Sequence, residues 1–185
     1  SDSRHIFLRA KDSDDPGNVT DTASSSPTAT SQEEGQDRPL SDKEKEAIAA
    51  AEKVVKPIAE QVAPVYATYS VNSGQAAWVE SISTAVTKSG ALMGPDLKTS
   101  LEAGASETWP AVQSAHVTST ARVYPGRAPA VWVSPDLSGA RVVVPVQQTV
   151  SMDGVPKRVV YPMVTTNLAP NEDGSSWQVV SLSSR

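Results

Sequence analysis

The sequence predicts an α+β domain in which N-terminal helices pack on a strongly curved antiparallel sheet. Residues 1–40 contain almost no large apolar side chains. Apolar residues then recur at helical spacing from residue 41, and from Gln113 onward they alternate with a period of two, which is typical of strands. Helices followed only by strands indicate an α+β domain with helices on one face of the sheet. We therefore divide the chain into residues 1–40 and a domain at residues 41–185.

The first 40 residues are predicted to form a flexible juxtamembrane tether that is disordered. Ser, Thr, Asp, Glu, Gly and Pro dominate residues 10–39, where Val19 is the only sizeable apolar side chain. So little apolar surface cannot offset the backbone entropy of roughly 1–2 kcal/mol per ordered residue. The short apolar patch at residues 5–9 fits either a stub beside a removed anchor helix or a frayed terminus. Thirty residues of coil span roughly 30 Å, which suits a domain held away from a membrane.

The composition excludes several classes of site. The net charge is -5, and residues 1–40 account for -4 of it with eight acidic and four basic residues. The domain is therefore near neutral and lacks the basic field that drives nucleic-acid binding, so we expect no nucleic-acid partner. The chain has no cysteine, which excludes disulfides and thiolate zinc sites. No stretch approaches the roughly 20 apolar residues of a membrane span.

The first predicted helix begins at a capping box formed by Ser41 and Glu44. A single apolar face follows at alternating spacings of three and four, made by Ile48, Ala51, Val55, Ile58, Val62, Val65 and Tyr69. Pro57 and Pro64 interrupt the amide donors of this helix. Two outcomes fit them: a curved helix, or a break near residues 55–56 with Pro57 opening a second segment.

Two further helices are predicted before the sheet. The second covers Ala76 to Val86 and places four apolar residues on one side: Trp78, Val79, Ile82 and Val86. The third is short, begins at Pro95-Asp96 and ends at Gly104. Trp109-Pro110 then forms a linker toward the sheet.

Five strands joined by tight turns are predicted to pair as antiparallel neighbours. They are the strand that alternates over residues 115–124, followed by residues 130–133, 140–150, 157–168 and 177–182. Pro145 and Pro162 lie inside two of these strands. Because proline donates no ladder hydrogen bond, they predict bulges or sheet edges.

The sequence contains no motif for catalysis, metal binding or nucleotide binding. The only histidines are His5 and the isolated His116, and no nucleophile elbow or phosphate loop is present. We therefore expect no catalytic residue, no cofactor and no metal. Trp78 and Trp177 are predicted to pack between helices and sheet. Trp109, Trp132 and Tyr124 are the candidate residues of a partner surface or pocket, since Trp109 lies at a predicted linker and Trp132 in a short strand.

Three segments resemble known envelope proteins. They are Val65–Val86, with Tyr-x-x-Tyr-Ser and Ala-Trp-Val-Glu-Ser-Ile, then Arg141–Thr149, and Ser176–Val179. They resemble extracytoplasmic domains from Gram-positive, especially actinobacterial, envelope proteins. These proteins include the bitopic assembly subunits of conjugation (type IV secretion) machines and the mammalian-cell-entry-associated membrane proteins. The order of elements resembles the nuclear-transport-factor-2-like fold, in which a bent sheet forms a cone.

The resemblance implies a non-catalytic interaction domain on the extracytoplasmic side of the cell membrane. It would assemble with other subunits of an envelope machine, most similar to conjugative secretion, and with a second copy of itself. A single membrane helix absent from this chain would anchor it. One alternative is a module of a lipid-import system that binds a small apolar ligand in the cone. The other is an isomerase or dehydratase, which requires a buried carboxylate and a phenol donor from Tyr66, Tyr69, Tyr124 or Tyr161.

Overall fold

The computed structural model describes residues 38–185, so nearly all of the predicted tether lies outside the described residues. The helices are α1 (Asp42–Tyr66), α2 (Gln75–Lys88) and α3 (Leu97–Ala115). The strands are β1 (Tyr69–Ser70), β2 (Leu92–Met93), β3 (Thr118–Val123), β4 (Ala130–Val133), β5 (Ala140–Met152), β6 (Val155–Val160), β7 (Met163–Pro170) and β8 (Trp177–Ser184). None of the helices within residues 38–185 is both long and apolar enough to cross a membrane.

Strand β5 is the centre of a curved sheet with the order β1-β3-β5-β7-β8-β2. Residues 140–145 of β5 pair with β7, and residues 140–143 also pair with β4. Residues 146–151 pair with β3, and β6 pairs with residues 148–152. One strand therefore belongs to two half-sheets. The exchange of partners at its middle gives the sheet a concave face that helix α1 covers, with contacts to β3, β4, β5 and β7.

Pro145 lies at the point where β5 changes partners. Met163 of β7 lies opposite Pro145, but its amide and its carbonyl both hydrogen-bond to Arg185, at 2.9 and 3.1 Å. Pro145 and Met163 are therefore a pair without hydrogen bonds between them, and the backbone groups of Pro145 point toward β3 on the other side. There the Tyr124 amide donates to the Pro145 carbonyl at 2.9 Å. The missing proline amide thus removes one bond at the end of β3. The prediction of a bulge or sheet edge at Pro145 is wrong, because Pro145 lies inside the central strand and the register shifts lie elsewhere.

Helix α1 begins at the predicted capping box and continues unbroken through both prolines. The Glu44 amide donates to Ser41 Oγ at 3.1 Å, and the Ser41 amide donates to Glu44 Oε1 at 2.8 Å. Of the two predicted outcomes for Pro57, the break is wrong. The buried face consists of Ala51, Val55, Ile58, Ala59, Val62, Ala63 and Tyr66. The helix ends at Tyr66, so Tyr69, the last residue of the predicted apolar face, lies in β1 instead.

Helix α3 is longer than predicted, and this corrects the position of Trp109. The helix passes through Gly104 and Pro110 and ends at Ala115, and His116 caps it in the left-handed conformation with φ 50°. Glycine costs only about 1 kcal/mol in a helix. The helix has one buried apolar face, with residues at spacings of four, four and three: Leu101, Ala105, Trp109 and Val112. Packing of this face overrides the cost of the glycine. The first long strand accordingly starts at Thr118 and not near Gln113.

The sheet differs from the predicted one in three ways. It is mixed, because β2 pairs with β8 in parallel. It contains the two-residue strands β1 and β2, which are too short to produce a periodic pattern. The predicted strand at residues 157–168 is interrupted at Tyr161-Pro162, where β6 ends and β7 begins. The predicted order of helices before strands is otherwise what the structure shows. Trp78 is buried and Trp177 packs against the core, in agreement with their predicted roles.

Candidate functional site

The outer face of the sheet, away from the helices, contains an exposed tryptophan beside a fixed arginine. Trp132 of the edge strand β4 is 57% exposed and pairs with Arg141 of β5. Arg141 Nε donates to Asn167 Oδ1 at 3.3 Å, and Asn167 Nδ2 donates to Ser181 Oγ at 2.9 Å. These bonds hold the guanidinium by one nitrogen. Within residues 38–185 Arg141 forms no ion pair with a carboxylate.

A second arginine and two tyrosines occupy the same outer face further along β5. Arg122 Nε donates to Gln147 Oε1 at 3.0 Å, so this guanidinium is also held by an amide oxygen. Tyr124 and Tyr161 follow β3 and β6, on opposite sides of β5, and their ring centroids lie 5.0 Å apart at 58°. Tyr161 is 54% exposed. We call Trp132, Tyr124 and Tyr161 the aromatic strip.

The predicted surface residues are only partly brought together. Trp132 and Tyr124 lie on the same face of the sheet and on the same side of β5. Trp109 does not join them, because it is 4% exposed within helix α3 and its ring lies edge-on to Tyr69 at 6.4 Å. Its position is that of a core residue. A partner surface or pocket at Trp132 and Tyr124 stays a prediction.

Tyr161 and Arg141 also belong to this surface, although neither is among its predicted residues. The signal for Tyr161 is Pro162, which follows it and interrupts the predicted strand, so the residue before it lies where β6 ends. The signal for Arg141 is strand alternation: its neighbours Ala140 and Val142 are buried, so Arg141 points outward. Their hydrogen-bond and ring partners come from distant strands, which no local pattern shows.

The concave face of the sheet contains one buried polar cluster beneath helix α1. Ser119 Oγ donates to the Ala67 carbonyl at 2.7 Å, and Gln148 Nε2 donates to Ser119 Oγ at 2.8 Å and to the same carbonyl at 3.3 Å. Tyr69 interacts with both side chains. Burial raises the pKa of Tyr69, and it raises the pKa of Tyr66 to about 12. Both phenols are therefore protonated at neutral pH.

The described interior offers no general base. The buried polar residues of the range 38–185 are Ser119, Gln148, Thr166 and Ser184, and no carboxylate or histidine is among them. His116 lies at the surface, with Nδ1 2.9 Å from Asp153 Oδ2 and both side chains largely exposed. The phenol donors that an isomerase would need are thus present in the cone without the carboxylate that would remove a proton.

A groove of about 480 Å³ lies between helices α2 and α3, on the helical layer. Its lining residues are Gln75, Ala76, Val79, Glu80, Lys98 and Glu102. Val79 is buried, whereas both carboxylates are exposed and form no ion pair with another residue of the described chain.

The lipid-binding alternative requires a pocket inside the cone. There the buried valines of β5 pack with the apolar face of α1.

Comparison with known proteins identifies the fold. No family model matches the sequence, and no curated protein matches it. The structure is similar to CagV, a VirB8 homologue of the type IV secretion system of Helicobacter pylori, with a TM-score of 0.50 and 12% identity over 72% of this chain and 97% of that chain. An IcmL-like type IV secretion system protein from Legionella pneumophila gives a TM-score of 0.48 and 11% identity over 71% of this chain and 89% of that chain.

The fold that CagV shares is the predicted one. The chain is an α+β domain in which helices pack on a curled sheet, and it has the nuclear-transport-factor-2-like fold seen in VirB8 proteins. The predicted fold class is confirmed, with the correction that the sheet is mixed. At 12% identity this likeness shows the fold alone.

Proposed function

We propose that this chain is a non-catalytic interaction domain that serves the assembly of a bacterial type IV secretion machine. The fold similarity to CagV, which spans 97% of that chain, is the observation that favours this machine. The finer assignment is conjugative transfer in a Gram-positive envelope. It rests on the resemblance of residues 65–86, 141–149 and 176–179 to subunits of such systems.

The proposed activity is surface recognition by the aromatic strip. Exposed tryptophan and tyrosine rings are enriched among the residues that contribute most to protein–protein binding. Trp132 and Tyr161 are each more than half exposed, and Arg141 presents terminal nitrogens that no carboxylate of the described chain neutralises. A guanidinium held by one nitrogen is preorganised to bind a carboxylate of a partner with the others. We propose other subunits of the machine as that partner.

The proposed location is the extracytoplasmic side of the cell membrane. In this proposal, residues 1–40 act as a tether between an anchor helix and the domain at residues 41–185. A tether with a reach of roughly 30 Å would hold the domain away from the membrane surface.

The test is complementation in the native host. Deletion of the gene is expected to abolish substrate transfer, and wild-type protein is expected to restore it and to co-purify with subunits of the secretion machine. A Trp132→Ala, Tyr161→Ala double variant at equal abundance is expected to restore neither. A Val180→Ala variant removes an exposed valine of β8 outside the strip and serves as the control. Normal transfer without the gene, or full function of the double variant, would refute the proposal.

A further inference from the structure

Strand β6 is the longest open edge of the sheet within residues 38–185. It pairs with β5 on one side and with no described strand on the other. The other edge strands, β1, β2 and β4, have two, two and four residues, whereas β6 has six. Pro156 and Lys157 protect the start of β6, because proline and lysine at an edge oppose pairing with a further strand. Residues 159–161 have no such protection.

The register of β5 and β6 identifies the open backbone groups. The Val146 amide donates to the Pro162 carbonyl at 3.0 Å, so the backbone of Pro162 faces β5. Residues 158–160 continue the same register. Because alternate residues of an antiparallel strand direct their backbone groups to opposite sides, the amides and carbonyls of Val159 and Tyr161 point away from β5. No turn, loop or side chain of the described residues hydrogen-bonds to these four groups.

The side chains of this edge fit a strand that is apolar and is followed by carboxylates. Val159 lies on the outer face, opposite Thr149, and is 45% exposed. Neither Lys157 nor Arg158 forms an ion pair within the described chain. Arg158 is half-buried, and its Nη1 atom is buried with no hydrogen-bond partner among residues 38–185. Since a buried cation without a counter-charge costs free energy, a carboxylate beside this guanidinium would stabilise the domain.

The start of the chain has the sequence pattern that this edge requires. Ile6-Phe7-Leu8 is the only run of three large apolar side chains before residue 41, and isoleucine and phenylalanine favour strands. Three aspartates follow the run, at positions 12, 14 and 15. If the segment runs antiparallel to β6, the apolar run lies beside residues 159–161, and the aspartates lie toward the basic pair at 157–158.

The chain between this segment and the domain is long enough for the contact. The 28 residues from Ala10 to Asp37 separate the two. Fully extended, they would reach roughly 90 Å. A domain of this size is only about 40 Å across, so the segment can reach any part of the surface. Because a linker of this kind keeps the segment at a high effective concentration, a weak intrinsic affinity is sufficient.

We propose that residues 5–9 of this chain add to the open edge of β6 as an antiparallel strand. The outward amides and carbonyls of Val159 and Tyr161 hydrogen-bond to the segment, as in strand addition to an open sheet edge. The apolar run covers Val159, and the aspartates that follow offset the charge of Lys157 and Arg158. The inference does not depend on the proposed function.

The contact controls the reach of the tether and leaves the partner surface accessible. The added strand lies on the side of β6 away from β5, whereas Trp132 and Tyr124 lie across β5. Both residues therefore stay free to bind another subunit. In the proposed location at a membrane, docking holds the start of the tether against the sheet, and release restores its reach of roughly 30 Å.

Amide hydrogen exchange of the full chain, followed by NMR, tests the contact. The Val159 and Tyr161 amides are expected to exchange at least about tenfold more slowly in the wild type than in an Ile6→Ser, Leu8→Ser double variant, because the added strand protects them. Val19→Ser removes an apolar side chain of the tether outside the segment. It is the matched control and is expected to leave both rates unchanged.

A variant of β6 tests the other side of the contact. Val159→Pro removes an amide that takes no part in the pairing of β5 with β6, so the domain is expected to stay folded. The Tyr161 amide is then expected to exchange as fast as in the double variant. Val159→Ala keeps the backbone amide and is expected to retain slow exchange. The Val160 amide, which faces β5, is expected to stay slow in every variant and reports on the intact sheet.

Disulfide formation tests the orientation, since the natural chain has no cysteine. Ala10→Cys combined with Lys157→Cys is expected to form an intramolecular disulfide at least about tenfold faster than Arg4→Cys combined with Lys157→Cys, because the antiparallel strand brings position 10 beside position 157. A strand in the parallel direction would reverse the order of the two rates.

Three outcomes would overturn the inference. The first is equal exchange of the Val159 and Tyr161 amides in the wild type and the double variant. The second is faster disulfide formation from position 4. The third is protection that rises with protein concentration, which would assign the edge to a second copy of the chain. The proposed function is judged separately, by co-purification of secretion subunits, so either proposal can fail while the other holds.

Discussion

Trp109 and Trp132 have the same side chain in opposite environments. Trp109 is 4% exposed in the core, whereas Trp132 is 57% exposed on the outer sheet face. Trp109→Ala is expected to lower the free energy of unfolding by about 3–5 kcal/mol, since it removes a buried ring and leaves a cavity. Trp132→Ala is expected to lower it by less than about 1 kcal/mol. Urea denaturation at a concentration where the chain is monomeric measures both. Equal losses of free energy of unfolding would contradict a buried Trp109 and an exposed Trp132.

Gln148 and Gln147 are neighbours in β5 that face opposite sides of the sheet. Gln148 is 3% exposed and donates to Ser119 and Ala67, whereas Gln147 lies on the outer face and accepts from Arg122. Gln148→Ala is expected to cost about 2–3 kcal/mol, because it leaves a cavity and removes two buried hydrogen bonds. Gln147→Ala, the matched control, is expected to stay within about 0.5 kcal/mol. A similar cost at both positions in urea denaturation would refute the polar cluster.

At the scale of single residues, the sequence predicts which face of the sheet a side chain occupies better than it predicts the hydrogen-bond partners of that side chain. Alternation in β5 places Gln148 on the same face as Val142, Val144 and Val146, so its burial follows from the pattern. The groups that satisfy it do not follow. Ser119 and Ala67 are 29 and 81 residues away, and only the completed fold brings them together.

At the scale of elements, Gly104 and Gly90 separate helix propensity from backbone conformation. An added Cβ would meet open space at both positions, but Gly90 has φ +89° whereas Gly104 lies inside α3. Gly104→Ala is expected to raise the free energy of unfolding by about 0.5–1 kcal/mol. Gly90→Ala is expected to lower it by about 1 kcal/mol or more, because alanine is strained at that φ. Thermal unfolding compares the two. A loss at Gly104 would contradict a continuous α3.

The capping box of α1 has a pH signature. Arg38 and the Ser41 amide hydrogen-bond to Glu44 and lower its pKa from 4.5 to about 2. Because the pKa is depressed in the folded state, ionised Glu44 stabilises the fold. This contribution to the free energy of unfolding is complete above about pH 4.5 and is lost as the pH falls to 2. The free energy of unfolding of Glu44→Gln is therefore expected to fall less between pH 4.5 and 2 than that of the wild type. Glu46→Gln, an exposed helix neighbour, is the control. The same dependence of the free energy of unfolding on pH in the wild type and in Glu44→Gln would exclude the contribution of Glu44.

The start of α1 is predicted more reliably than the end of α3. The capping box marks the start of α1 because it is a local contact between residues three apart. The end of α3 is not local, since packing of Trp109 and Val112 against the core carries the helix past Gly104 and Pro110. The split at Tyr161-Pro162 depends in the same way on β5, whose two halves pair with β6 and β7.

At the scale of the molecule, the order of helices and strands predicts the fold class but not the pairing. Tight turns predict antiparallel neighbours correctly for β7 and β8. The parallel pair of β2 with β8 joins residues 92–93 to residues 178–179, and no turn or periodicity announces it. The surfaces follow the same rule. The exposed Trp132 is visible in the sequence, whereas the α2–α3 groove exists only once both helices pack.

The claim that the domain works through its outer sheet face is tested most directly by site-specific photo-crosslinking in the native host. A photoreactive residue is placed at position 132 of the full chain, and crosslinked products are identified by mass spectrometry. We expect products with subunits of a type IV secretion machine. We expect no such products from position 54, where Val54 is 49% exposed on α1. Absence of these products at position 132, or the same products from both positions, would contradict the account.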